Sequence, residues 1–226
     1  VNQAAGDWTK DAADTWAVLC DFDGTVVACE TVTLLYRRFA APSCTELVEQ
    51  WMRGEIGTQE ELQGCFATMK ASRGEMEAVL DSVSIDPGFP SFVESCRQRG
   101  HAFALVSDGL TWIIDHILAR HGIQDVTIYA NSIHFEPQGI RLSFPWHDPQ
   151  YPKRGVPKPI IVRRYQAQGW RVAYIGDGLT DLEVLGVADV VYARDRLLDH
   201  AREQGMEVVG FSGFSELLGK RPFARG

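Results

Sequence analysis

Three apolar runs in this chain each end on a polar, glycine-bearing cluster. Trp16-Ala-Val-Leu-Cys-Asp-Phe22 runs into Asp23-Gly24-Thr25, Ala102-Phe-Ala-Leu-Val-Ser107 into Asp108-Gly109, and Arg171-Val-Ala-Tyr-Ile-Gly176 into Asp177-Gly178. Runs this short and continuously apolar suit strands buried on both faces, as in a parallel sheet. Residues 188–192 repeat the pattern, and 126–129 and 207–210 are shorter candidates. Helical segments separate the runs, clearest over 111–120, 159–167, 180–186 and 195–204. The alternation predicts an α/β fold with a doubly wound, Rossmann-like parallel sheet. The polar run ends then gather on one edge of that sheet, where open α/β sheets bind ligands.

Two stretches break the alternation. Residues 31–85 carry helical periodicity, as in 46–52 and 59–69, and predict a small helical cap inserted after the first strand. The core domain would then comprise 15–30 and 86–226. Residues 133–157 are rich in Pro, Gly and aromatics and predict a hairpin followed by an irregular loop. Residues 1–14 read as a polar arm outside the core.

Composition excludes several classes. The 226 residues suffice for one core domain with an insert, and the net charge of −8 argues against a nucleic-acid binder. No apolar run approaches the ~20 residues of a membrane helix. Five cysteines, with no C-x-x-C pair, predict reduced thiols and a cytoplasmic location rather than a disulfide framework or a structural zinc. The six histidines form no H-E-x-x-H pattern.

Asp21 and Asp23 stand two apart at the end of the first run, so both can be turned into one cleft. Such a pair can divide labour, one acid attacking or binding metal while the other moves a proton. Gly24 permits the turn that follows. Two motif-like stretches are rejected. Gly176-x-Gly178 lacks the third glycine of a dinucleotide loop, Asp181 standing there instead, and Gly213 to Lys220 has the wrong glycine spacing for a P-loop.

Asp21-Phe-Asp-Gly-Thr25, Ser107 after an apolar run, Lys158 after the proline loop and Gly176-Asp-Gly-Leu-Thr-Asp181 occur in this order. Together they resemble the four motifs of the haloacid-dehalogenase-superfamily phosphatases, and the match spans most of the chain. The small helical insert points to the phosphoserine-phosphatase-like branch. The 192–205 tail and the Lys158-Pro159 context look like the methionine-salvage phosphatases of that branch. The resemblance implies a Mg²⁺-dependent phosphomonoesterase with Asp21 as nucleophile, Asp23 as proton donor and acceptor, and Ser107 and Lys158 on the transferring phosphoryl group. It implies metal binding by Asp21, Asp23, Asp177 and Asp181, with Asp23 offering its backbone carbonyl and Asp181 steadying the site. The second acid, Asp23, favours phosphate-ester hydrolysis over dehalogenation. Lys158 is preferred to Lys153 because Pro159 can open the following helix, and Thr180 is a candidate cap for the next one.

The expected substrate is a small phosphorylated metabolite, with no nucleic-acid or membrane partner and a homodimer left open. Glu30, Asp108 and Gly109 are candidate substrate-binding residues; Arg37, Arg38, Arg141, Lys153 and Arg154 are further candidate substrate contacts, each of which taken singly reads rather as solvated surface charge. Phosphotransfer to an alcohol, as in a mutase, is the main alternative to hydrolysis. Phosphoserine phosphatase is another, weakened because Cys65 falls where the resemblance calls for a carboxylate-binding arginine.

Overall fold

The computed structural model describes residues 15–224; the polar arm over 1–14 lies outside them. Seven strands form one sheet: β1 (Trp16–Cys20), β2 (Ala102–Leu110), β3 (Thr127–Glu136), β4 (Gly139–Ser143), β5 (Arg171–Gly176), β6 (Val190–Ala193) and β7 (Val209–Gly210). Their order is β4-β3-β2-β1-β5-β6-β7, and every pairing is parallel except β3 with β4. The chain winds outward from β1 in both directions, so the carboxyl end of β1 is the switch point where a ligand crevice opens.

β1 explains why this sheet forms here. Its residues alternate between two apolar layers, with Trp16, Val18 and Cys20 in one and Ala17 and Leu19 in the other. All are buried, because β2 and β5 flank β1 and helices cover both faces. The covering helices include α5 (Phe89–Gln98), α6 (Thr111–Arg120), α7 (Lys158–Ala167) and α8 (Asp195–Glu203). A short α9 (Phe214–Leu217) packs Phe214 against Phe89 and Phe92 of α5.

Between β1 and α5 the chain forms α1 (Thr31–Phe39), α2 (Cys44–Met52), α3 (Thr58–Ala67) and α4 (Arg73–Leu80). Ser72 and Glu75 form a capping box at the start of α4. The insert packs on the core where α3 meets β4 and α4 meets α6. The β3–β4 hairpin and the loop after it match the expectation for 133–157.

Three expectations are corrected. Residues 180–186 are not an α-helix but follow a 3₁₀ helix, Leu179–Val184, whose cap is Gly178 rather than Thr180. Helix α5 was not anticipated; Pro90 in its first turn reads as a breaker in sequence but fits a helix start. The reduced-thiol reading fails for Cys44 and Cys65, which form a disulfide between α2 and α3 with Cα atoms 4.9 Å apart. The two helices lie antiparallel, and a separation of 21 residues gave no local sign of the pairing. Cys20, Cys29 and Cys96 are free. Among the described residues, no helix is long and apolar enough to cross a membrane.

Candidate active site

Asp21 follows β1 directly and donates its backbone N–H to the Ile175 carbonyl of β5 (2.9 Å), which extends the sheet pairing by one residue. The Phe22 carbonyl then receives the N–H groups of Thr25, Val26 and Val27. That turn swings Asp23 away from the strand axis. Gly24 lies at φ +75°, and a Cβ there would collide with the Asp177 carboxylate. Both conformation and space require glycine at this position.

Lys158 opens α7 and is 2% exposed. Its ammonium touches Asp21 Oδ2 at 2.9 Å, Asp181 Oδ1 at 2.6 Å and Thr180 Oγ1 at 3.2 Å. Burial works against the charge, but Asp181 and Asp21 outweigh it and hold the amine protonated. Asp181 is fully buried and saturated. Its Oδ1 accepts from Lys158 and from the Tyr174 hydroxyl (2.6 Å), and its Oδ2 from the N–H groups of Asp177 (3.1 Å) and Gly178 (2.9 Å).

Asp21 Oδ1 accepts the Phe22 N–H at 2.8 Å. Burial and then Asp181 push the Asp21 carboxyl well above the usual range, although Lys158 pulls it down. Asp177 lies at the end of β5, with one oxygen on the Thr25 hydroxyl (2.6 Å), and burial raises it too. Ligand oxygens of Asp21, Asp177 and Asp181 lie within 4.8 Å of one another, an arrangement that could hold a metal ion.

Asp23 Oδ1 accepts the Thr31 N–H, the first of α1, at 2.7 Å. Desolvation pushes its carboxyl up to about 6, against the pull of that hydrogen bond. Ser107 is buried, and its Oγ accepts the Gly109 N–H at 2.9 Å. A Cβ on Gly109 would stand 3.1 Å from both Asp23 Oδ2 and Ser107 Oγ, so this glycine lets Asp23 and Ser107 face a shared space. Strand β2 loses its regular register with β3 between Val106 and Leu110, which frees these groups from the ladder.

The remaining expected site residues divide. Asp108 is tied to the loop before α7 and to the insert: its Oδ1 accepts the Val156 N–H (2.7 Å) and its Oδ2 lies 3.5 Å from Thr58 Oγ1 of α3, while the charge of Lys158 acts on it. Glu30 occupies the cap position of α1 without a side-chain capping bond. It lies at the rim, and desolvation followed by the charges of Asp23 and Asp177 pushes it up to about 7. Arg141 pairs with Glu136, Arg154 with Glu183, and Lys153 donates to the Gly54 carbonyl. Arg37 and Arg38 are exposed.

The fold and the site motifs together match one family. The sequence model of the haloacid dehalogenase-like hydrolases covers residues 18–186. The chain belongs to the haloacid dehalogenase-like hydrolase family. A 2-hydroxy-3-keto-5-methylthiopentenyl-1-phosphate phosphatase of Brevibacillus brevis is 32% identical over 206 residues, covering 89% of this chain and 92% of that one. One from Exiguobacterium is 28% identical, covering 88% and 94%. Among solved structures, a phospho-aspartyl intermediate analogue of phosphoserine phosphatase superposes with a TM-score of 0.68 at 17% identity, over 90% of this chain and 97% of that one. A hydrolase of the family from Salmonella enterica serovar Typhi gives 0.68 at 20% identity, over 89% and 69%. This haloacid dehalogenase-like hydrolase is an enzyme, a phosphatase.

Sequence reasoning missed four residues that shape the site of this hydrolase. Tyr174 is the polar exception inside an otherwise apolar strand, and its hydroxyl reaches Asp181. Thr25 anchors Asp177. Arg194, just past β6 on the same sheet edge, donates to the carbonyls of Gly24 and Thr25. Asn131 donates to the carbonyls of Asp108 (2.7 Å) and Gly109 (3.2 Å). Position at a strand end was the available signal for Arg194. Thr25 closes the first motif, though nothing in the motif gave it a role, and Asn131 offered no signal beyond residue type.

Proposed function

We propose that the chain is a Mg²⁺-dependent phosphomonoesterase that acts on a small phosphorylated metabolite through an aspartyl-phosphate intermediate. The supporting observation is the Lys158 ammonium between Asp21 and Asp181, on the same rim as Asp23 and Ser107. A phosphomonoester is a dianion, and three carboxyl groups would repel it. The donor set is hard oxygen throughout, which fits Mg²⁺. The carboxylates of Asp21 and Asp177 and the backbone carbonyl of Asp23 would hold the ion. When bound, it offsets the acids and orients the phosphoryl group. Asp181 has no oxygen to spare, so we assign it the holding of Lys158 and of the Asp177–Gly178 turn.

The Asp21 carboxylate attacks phosphorus, forming an Asp21–phosphate bond as the bond to the alcohol oxygen breaks. Asp23, protonated at that moment, gives its proton to the leaving oxygen. It then takes a proton from the water that attacks the phosphoaspartate, which frees phosphate and restores Asp21. Lys158 and Ser107 donate hydrogen bonds to phosphoryl oxygens as charge builds on them.

Phosphate release from a panel of phosphomonoesters tests this reading. Turnover should need Mg²⁺, stop in chelator and vanish in Asp21→Asn. In ¹⁸O-labelled water, hydrolysis puts label into the released phosphate, whereas transfer to an alcohol does not. Phosphoserine is disfavoured by Cys65, which is buried in a disulfide and offers a carboxylate no cation.

A further inference from the structure

Arg194 is a cation on the sheet edge that carries the acids, and the proposed chemistry gives it no task. Gly176 of β5 pairs with Ala193 of β6, so Arg194 lies level with Asp177. Its backbone N–H donates to the Gly176 carbonyl at 3.2 Å, and the Leu197 N–H donates to the Asp177 carbonyl at 2.8 Å. The side chain reaches across the end of β5 to the turn after β1. Its Nε donates to the Gly24 carbonyl at 3.1 Å, and its Nη2 to the carbonyls of Gly24 and, at 3.1 Å, of Thr25. The guanidinium lies over the Phe211 ring, 5.5 Å from its centre, and the side chain is 16% exposed. Its ion-pair partner among the described residues is Asp195, which at 3.5 Å and 68% exposed is a weak tie. The carbonyls of the turn, rather than an acid, fix the guanidinium.

That turn carries the Asp23 carbonyl and the Thr25 hydroxyl, which donates to Asp177 Oδ1 at 2.6 Å. Gly24 lets the turn close against the Asp177 carboxylate. One guanidinium thus ties the turn to the ends of β5 and β6. We infer that Arg194 is a positioning residue of the cation site, which holds the Asp23–Thr25 turn so that the Asp23 carbonyl and the Asp177 carboxylate can bind one Mg²⁺. The inference rests on the metal-dependent phosphatase reading. Two effects of Arg194 oppose each other. Its charge would repel a divalent cation, whereas its hydrogen bonds preorganise the groups that receive one. The geometry favours the second, because its donors go to two successive turn carbonyls and none to Asp177. A lysine would keep the charge but has no planar fork for both carbonyls.

Metal affinity reads this without turnover. The paramagnetic resonance signal of free Mn²⁺ is followed as protein is added, with Mg²⁺ as competitor. The wild-type protein should bind the ion, and Asp177→Asn should lose it. Arg194→Lys should weaken Mg²⁺ about tenfold, the size expected when a group that orients metal ligands is lost. Arg194→Met, which lacks both fork and charge, should weaken it at least as far. Arg194→Lys keeps the charge and much of the stem, and carries the test should the Met variant fail to fold. A residue that only stabilised the fold would leave the affinity of both folded variants unchanged. One that acted through charge alone would leave Arg194→Lys unchanged and tighten binding in Arg194→Met. Either result would overturn the inference and leave the metal reading standing. Wild-type protein that takes up no ion, or an uptake that survives in Asp177→Asn, would overturn both.

Discussion

At the carboxyl edge of the sheet, the buried cation Lys158 touches two of the buried acids. In the helical insert, Glu61 is buried with no cation at all. The two regions handle charge differently because they are built differently. The edge gathers its groups from β1, β5 and the start of α7, elements fixed by the sheet's own pairing. The insert is short helices held by a disulfide, by apolar side chains that join the main core cluster, and by the packing of α3 on β4 and of α4 on α6. The edge can therefore hold a fixed charge constellation for chemistry. The insert instead buries an acid beside the Tyr36 hydroxyl, with no cation acting on it.

The largest expected effect tests the edge. Lys158→Met strands Asp21 and Asp181 beside each other, and breaking a buried pair in this way should cost about 3–5 kcal/mol at pH 7. Equilibrium denaturation checks it; a loss below about 1 kcal/mol would mean the acids do not need the lysine. Cys44→Ser combined with Cys65→Ser should lower stability by about 3 kcal/mol, because an unfolded-state loop is released. The core β-sheet signal in circular dichroism should persist, and its collapse would show that the insert is not separable from the sheet.

Glu61 supplies a pH-dependent contrast. Its folded carboxyl lies at about 7 against an ordinary 4.5, pushed up first by burial. The folded state thus keeps a proton that the unfolded chain loses. This stabilising contribution is full below pH 4.5 and disappears as pH rises to about 7. Relative to wild type, Glu61→Gln should gain about 2–3 kcal/mol between pH 4.5 and 8. Parallel stability curves for the two proteins would contradict the burial of an acid with no cation beside it. The smallest effect is expected for Thr58→Val, which removes the hydroxyl shared by Trp51 and Asp108. It should cost about 1 kcal/mol, and a loss above about 3 kcal/mol would make this contact a structural keystone instead.

Legibility in the sequence followed the same divide. Asp21, Asp23, Lys158 and Asp177 stand at or just beyond the ends of secondary-structure elements, Ser107 where β2 loses its register and Asp181 in the first turn of the 3₁₀ helix, positions that a sequence pattern places in space. Apolar runs located β1, β2 and β5 to within a few residues. Tyr174 and Arg194 lie in or just beyond equally legible strands, but their partners come from other segments, and no local pattern encodes those crossings. The insert was legible as helical, whereas the Cys44–Cys65 bridge and the approach of Tyr36 to Glu61 depend on how its helices pack. Asp108 follows Ser107 in sequence, yet at the irregular end of β2 its carboxyl bonds Val156 and approaches Thr58, contacts that no local pattern encodes.

The central claim is that Asp21 carries the phosphoryl group. Rapid acid quench of the enzyme with Mg²⁺ and a ³²P-labelled ester that it turns over measures this most directly. The account predicts a transient protein-bound label that is labile to base, maps to the peptide containing Asp21 and is absent from Asp21→Asn. Full-rate phosphate release with no bound label, persisting in Asp21→Asn, would contradict it.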